Sequence, residues 1–540
     1  MVLAEDLEVQ PPLIHVMESD DVYLQDHAEV LWFDVLRNLD WRSLRPLAAR
    51  YYEALHQFNE DQARERRERE TQAAQAPRVR ESQHEATERL LFERASLSPN
   101  IPILYEPQPV AQPTTRVDPH TLRPGQPPVR LAGKAPKCFF AMLKAFVGVT
   151  LRGRAPEPES VHEELTSNPS FARTCGFTLP EARRGYRQSD VPSLRKLEQF
   201  DQIMTQHGFW SAAALDQVRR NLREGRLQSE PTLVHDTTHY PAFSTMRVVD
   251  LPDSDPETAG PTKRRKKKRK SHPKTTKSCR CKNRMTCRHP WINADDGAGT
   301  VAKSTGLFWA HKASTLAFPG QEILLDAVAM TDAASHDSRS LQPHLQRLFQ
   351  HHPDLEPIVT RVLDDGAADD AGLKDDLQHR WKIELLAPIN PRRRKPIRND
   401  LPRGIDHMTV TGTPVCQEGY PFELIGTRRD TEHFLFRAPQ DENRTPVCRE
   451  CPQKQGCYRG ASGARQVTLA FARLPWLDPE FPQLSKRFRH ILAKRTSIER
   501  LHKLMKYDYG DERLTKRGNT AFQARLDKTL WVMHLVLALH

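Results

Sequence analysis

The chain has 540 residues, 38% hydrophobic and 28% charged, a content suited to three or four domains with polar connectors. No window approaches the ~18 consecutive apolar residues of a membrane span, and the first forty residues hold ten acids, one base (Arg37) and no apolar signal-like stretch. A secreted or integral membrane protein is therefore not expected. The formal net charge is +12, yet fourteen Lys or Arg and no acid fall between Lys263 and His289, so the rest of the chain is slightly acidic. One segment carries the excess, which points to a local anionic partner such as a phosphate backbone.

Residues 1 to about 95 read as helical: Val30, Leu31, Val35, Leu36 and Leu39 recur at helical spacing, and 60–94 is charged enough for a solvated helix or a linker. Ten of the 42 prolines lie between Pro99 and Pro136, a density that favours an extended linker and separates a helical region, 1–98, from the rest of the chain. CFFAMLKAFVGVTL (138–151) is apolar nearly all round and predicts a buried core helix. Segments 161–171 and 194–209 are its amphipathic partners, the second preceded by the helix-start signal Ser189-Asp190-Val191-Pro192-Ser193. Together they predict a helical domain over 137–230.

From Thr232 the pattern changes to strands. TLVHD (232–236) is short and apolar, and FWAHKASTLAF (308–318) and EILLDAVAM (322–330) flank Pro319-Gly320, a hairpin turn. A helix over 340–351, a strand IVTRVLD (358–364), a helix from about Asp369 and a strand WKIELLAP (381–388) come next. Three strands and then alternating helix and strand make an α/β arrangement. Segments such as FELIGT and HFLFRA give 391–482 the character of a β-rich insertion, and the last 56 residues return to helix. The α/β domain is thus assigned to 231–390 and 483–540, with a basic, Cys/His-rich insertion at 251–300.

Three acids stand where such elements would present them. Asp236 ends the first strand, Asp365 follows the fourth, and Glu499 lies beside the apolar stripe (Phe488, Ile491, Leu492, Ile498, Leu501, Met505) of a helix over 487–506. Two adjacent strand ends and one helix position can converge three carboxylates, a suitable donor set for Mg²⁺. Two such ions about 4 Å apart can activate a water and stabilise a leaving oxygen, which is chemistry for phosphodiester bonds. Taken singly, each acid reads as readily as a solvated cap.

VHDTTH, FWAHKAS, AMTDAASHDSRSL, VLDDGAADD and RTSIERLHKLMK form an ordered series. It resembles the DDE transposases of bacterial insertion sequences. NPSFARTCGF and SDVPSLRKLEQF resemble their helical N-terminal domain, and CRECPQKQGC resembles the cysteine-bearing insertion of one branch. The resemblance covers roughly 138–540. It implies an RNase H-like catalytic domain, a mixed five-stranded sheet with helices, in which Asp236, Asp365 and Glu499 hold two Mg²⁺ or Mn²⁺ ions. Asp364 competes with Asp365 for the second position, and Asp295 or Asp296 with Asp236 for the first. Ala368 stands where the family often has tyrosine. Arg495, Arg500 and Lys506 are implied as contacts to DNA phosphates, although Arg495 and Glu499, four apart, also read as an ordinary intrahelical ion pair. His336 and Asp337 are expected to cap the helix immediately after them.

Lys263, Arg264, Arg265, Lys266, Lys267, Lys268, Arg269 and Lys270 form a run that releases counterions on binding DNA or RNA without reading sequence. Nine cysteines are too few for a disulfide scaffold, and six are bunched. Cys279, Cys281, Cys287 and His289 make one candidate zinc set, and Cys416, Cys448, Cys451 and Cys457 another, although neither has regular zinc-finger spacing. A structural zinc contributes on the order of 10 kcal/mol to folding. The expectation is a transposase that binds double-stranded DNA at element ends and target, as a homodimer on DNA, in the bacterial cytoplasm at the nucleoid and without membrane contact. The alternatives are a zinc-dependent DNA-binding regulator derived from one, and a plain metal-dependent nuclease.

Overall fold

The computed structural model describes residues 33, 35–75, 104, 137–177, 191–243, 246–248, 291–293, 295, 297–303, 306–391, 395–458 and 463–539. The basic run 263–270, the set Cys279, Cys281, Cys287 and His289, the alternative Asp296, and the proline-rich linker apart from Leu104 lie outside the described residues.

The helical part begins with α1 (Arg45–Gln75) and α2 (Phe139–Leu151), in which every side chain from Phe139 to Thr150 is buried. Gly148 admits the Phe171 ring, which would lie 2.5 Å from a Cβ at that position. The single helix expected over 161–171 is two, α3 (Pro158–Ser167) and α4 (Pro169–Thr174). Pro169 cannot donate to the preceding turn, and the Asn168 side chain accepts from Phe171 N at 3.0 Å to open the new helix. α5 (Leu194–Gln206) and α6 (Phe209–Arg223) meet at Gly208, whose φ of +63° is left-handed.

The central sheet is mixed. β1 (Thr232–Pro241) pairs antiparallel with β5 (Gly306–Phe318) on one side and parallel with β7 (Arg361–Leu363) on the other, and β7 pairs parallel with β8 (Glu384–Leu386). The far edge of β5 takes β4 (Gly299–Lys303) near its start and β6 (Ile323–Ala329) near its end. β2 (Met246–Val248) and β3 (Trp291–Asn293) form a separate ribbon. Three expected boundaries move. β1 continues to Pro241 because the long β5 pairs with it as far as Ala310, so Asp236 lies mid-strand and not at its end. β7 keeps only three residues, and Trp381 closes the helix α8 (Ala371–Trp381), which stops at the left-handed Lys382 (φ +59°) instead of opening β8.

Val234, Leu363 and Leu386 face a core shared with Val35 to Ala54, helices α2 and α4 to α6, and α12 (Asn519–Leu537). Leu233, Val362 and Leu385 face α7 (Ser338–His351) and α8. Buried ion pairs reinforce the first core. Asp201 takes Trp210 Nε1 at 3.1 Å and pairs with both Lys516 and Lys528, while Arg525 binds Glu157 and Asp511, each at 2.8 Å.

The insertion has its own small core of Met408, Phe434, Phe436, Leu469 and Leu474. It holds the hairpin β9 (Ile405–Met408) and β10 (Pro414–Cys416), the sheet β11 (Glu423–Arg428), β12 (His433–Arg437) and β13 (Gln466–Ala470), and the short helix α9 (Lys454–Cys457). The helix expected over 487–506 is broken: α10 (Lys486–Leu492), a tight turn Ala493–Arg495, α11 (Thr496–Lys503) and a wide turn Leu504–Asp508. Among the described residues, no helix is long and apolar enough to cross a membrane.

Candidate functional site

Parallel pairing of Val234 with Leu363 fixes the register between β1 and β7. Two residues on, along each strand's chain, stand Asp236, still within β1 and on the face of Val234 because side chains alternate, and Asp365, just past the end of β7. Asp236 accepts from Thr237 N at 2.8 Å and from Arg495 Nη1 at 3.2 Å. Burial pushes its carboxyl up to about 6, against the Thr237 N–H, Arg495 and His235 and with the help of Asp364. Asp365 opens a short turn by accepting from Ala367 N at 2.7 Å. Its pKa is also raised, first by burial and then by the charges of Asp364 and Asp337, with the Ala367 N–H opposing.

Asp364 points elsewhere. It is buried, with Oδ2 at 2.8 Å from His235 Nδ1 and Oδ1 accepting from Asp365 N at 2.6 Å. His235 Nε2 continues to Ser314 Oγ at 2.9 Å, and Ser314 Oγ to His344 Nδ1 at 2.8 Å. His344 stands 3.5 Å from Asp326, which also takes Arg347 Nε at 2.9 Å. Burial disfavours a charge on His235, but Asp364 outweighs it and the net shift is upward. This relay runs beneath the sheet and stiffens the strands that carry the two outer acids. Sequence reasoning missed it; its signal was a histidine inside the apolar run TLVHD.

Glu499 is exposed on α11 and accepts from Arg495 Nη2 at 3.0 Å, so one guanidinium bridges Asp236 and Glu499. Ile498, Leu501 and Met505 hold this helix to the sheet. Thr315 Oγ1 donates to the carbonyl of Asp236 at 3.0 Å and stands 2.8 Å from His502 Nε2. Because the hydroxyl proton is already used, His502 Nε2 carries the hydrogen of that second bond. Burial, with Lys506 and Arg495, pushes His502 down to about 3, so it is neutral at pH 7.

Asp337 was expected to cap α7, and its side chain makes no cap bond. It turns to the site instead, accepting from Thr237 Oγ1 at 2.7 Å and pairing with Lys312. His336 Nδ1 meets Ser338 Oγ at 2.8 Å. Of the residues implied for phosphate, Arg500 pairs with Glu322 and is exposed. Lys506 donates to the carbonyl of His239 at 3.0 Å and lies 4.8 Å from the Tyr240 ring centroid. Asp295 is buried away from these acids, 2.8 Å from His311 Nε2 and accepting from Gly518 N at 2.8 Å.

In the insertion, Cys416, Cys448, Cys451 and Cys457 line a single cavity. Burial, opposed by the Arg465 N–H and assisted by the other three sulfurs, raises the Cys448 thiol pKa. Among the described residues, no three His, Cys, Asp or Glu side chains stand at ligating distance for a metal ion.

The arrangement offers hard oxygen donors, Asp236 within β1, Asp365 just past β7 and Glu499 on α11, with a cation already between two of them. That donor chemistry suits a divalent ion of the Mg²⁺ class, and the Arg495 guanidinium stands in for part of its charge. No protein-family model matches the chain, and no curated protein is significantly similar to it.

Proposed function

We propose that the chain is a DNA transposase of the DDE kind, with an RNase H-like catalytic domain. The observation that carries the reading is the parallel pairing of β1 with β7, which ends two residues before Asp236 on one strand and two before Asp365 on the other, with Arg495 linking Asp236 to Glu499. A mixed sheet with its first strand at the centre is compatible with that fold.

In this reading Asp236, Asp365 and Glu499 hold two Mg²⁺ or Mn²⁺ ions. Such ions polarise phosphoryl oxygens and lower the pKa of water. The chain's own groups position the reactants. The Asp364–His235 relay fixes Asp365, the Thr315–His502 contact fixes α11, and Arg495, displaced from the carboxylates, turns to phosphate. A water oxygen then replaces the 3′ oxygen at phosphorus at an element end, and the freed 3′-OH attacks a target phosphodiester in the same in-line manner. Double-stranded DNA is the substrate, the basic run 263–270 adds non-specific affinity, and two copies act together so that two ends are cut.

The bridging of Asp236 and Glu499 by Arg495 favours a second reading, a DNA-binding regulator in which the acids serve only as ion-pair partners. Incubation of labelled DNA carrying the sequences that flank the gene, with Mg²⁺ and either wild type or Asp365→Ala, separates the two. Metal-dependent nicks at the ends that disappear in the variant, with DNA binding retained, are expected. Tight binding with no cleavage by either protein would establish the regulator.

A further inference from the structure

We propose that Cys416, Cys448, Cys451 and Cys457 form a structural zinc site that fastens the insertion's longest irregular loop. The proposal is independent of the transposase reading.

The loop from Asp441 to Tyr458 contains no buried residue, and the helix α9 within it buries nothing. Of this eighteen-residue stretch only Val447 and Cys448 pack, half-buried, against the insertion's core, which is little apolar contact to hold one conformation. Its backbone is nevertheless organised: Asp441 Oδ1 accepts from Asn443 N at 3.0 Å and from Thr445 N at 2.7 Å, and Cys457 N donates to the Gln453 carbonyl at 3.0 Å. Three of the four cysteines lie in this loop. The fourth, Cys416, ends β10, which is anchored to β9. All four line one cavity, so a metal there would tie the loop to the hairpin.

The surroundings suit thiolates. The backbone N–H of Arg465 donates to Cys448 sulfur, and its guanidinium lies against Cys457 Sγ while also reaching the carbonyl of Arg403. A zinc bound by four thiolates carries a formal charge of minus two, and a buried arginine and an N–H···S bond offset part of it, as outer partners of metal sites do. Gly404 closes the cavity at φ +75°, and a Cβ there would lie 2.5 Å from Cys457 Sγ. The close approach of backbone to sulfur therefore requires glycine. The four thiols are free, and soft sulfur donors at this spacing select zinc over magnesium. Zinc would draw the sulfurs to about 2.3 Å from the metal, closer together than they stand here.

The test is the metal content of the full chain, purified without chelator, for wild type, Cys451→Ser and Cys279→Ser. Cys451→Ser should lose one equivalent of zinc per chain, and Cys279→Ser should keep that equivalent. A wild-type chain without zinc, or a Cys451→Ser chain with the wild-type content, overturns the proposal. In case Cys451→Ser does not fold, the wild type is loaded with Co²⁺. A thiolate-to-cobalt charge-transfer band with tetrahedral ligand-field bands is expected, and it should persist in Cys279→Ser. Its absence from that variant, or a disulfide among the four residues in the reduced, freshly purified protein, refutes the site. Neither readout involves DNA cleavage, so the failure of one proposal leaves the other standing.

Discussion

Replacing Asp201 tests how the helical region is locked to the end of the chain. Asp201 lies at the meeting of α5, α6 and α12, accepting from Trp210 Nε1 and pairing with Lys516 and Lys528. Burial works to raise its pKa, but the two ammonium groups outweigh burial and hold the carboxyl below the usual range, so it is ionised at neutral pH. Asp201→Asn keeps the shape and the bond from Trp210 and removes the charge. Lys528 would then be left buried between the Phe146 and Trp210 rings, 5.0 Å from each centroid, with the Pro156 carbonyl at 2.9 Å and no carboxylate bonded to it among the described residues. Breaking a buried ion pair by removing one partner costs about 3–5 kcal/mol, a large share of the roughly 5–15 kcal/mol that holds a typical protein folded. With a urea m-value of about 3 kcal/mol/M, the midpoint falls by about 1 M or more. Tryptophan fluorescence during urea unfolding reads the change. The double variant Asp201→Asn, Lys528→Met removes the stranded ammonium and keeps an apolar stem against both rings, so it should recover most of the loss. If instead the two single effects add to within about 0.5 kcal/mol, the cost does not come from a stranded Lys528 and the argument fails.

Three further outcomes are expected. Burial pushes Asp527 up to about 7. The folded state therefore holds a proton that the unfolded state releases near pH 4, and this contribution is complete below about pH 4 and lost as pH rises through about 7. Asp527→Asn should accordingly gain stability over wild type between pH 5 and 8, by about 3 kcal/mol at most; an equal difference at both pH values in urea titrations contradicts the assignment. Asp364→Ala leaves His235 without its buried partner and should cost about 3–5 kcal/mol in stability. Asp365→Ala should unfold close to the wild-type midpoint while losing metal-dependent cleavage, and a reversed order would mean the two neighbours have been interchanged. Replacing the eight basic residues 263–270 by serine should flatten the dependence of log K for duplex DNA on log salt by up to about 7, measured by fluorescence anisotropy, whereas an unchanged slope would place the DNA contact elsewhere.

The parts of the fold legible in the sequence are those set by local pattern. The Pro319-Gly320 turn marks the β5–β6 hairpin, and the apolar run after Cys138 marks α2. What was illegible depends on partners distant in sequence. The extent of β1 is decided by the length of β5, and the brevity of β7 by turns on either side of it. Asp337 reads locally as a cap, but Thr237 and Lys312, brought over it by the register of β1 and β5, claim its side chain. Asp365 and Asp364 are identical as letters. Only the fold past the end of β7 sends one to His235 and leaves the other to open the next turn at Ala367 N.

The placement of α12 bears on how the protein is made. This helix, near the C-terminal end of the sequence, inserts between α6 and the sheet, with Phe522, Leu526, Leu530 and Trp531 buried and His534 bonded to the Leu324 carbonyl at 2.7 Å. During synthesis, then, Trp210, Leu324 and Ala327 remain uncovered until these residues have cleared the ribosome. The first core therefore cannot close before α12 has been made. A nascent chain that lacked α12 would display a broad apolar face, a form that chaperones retain and proteases remove.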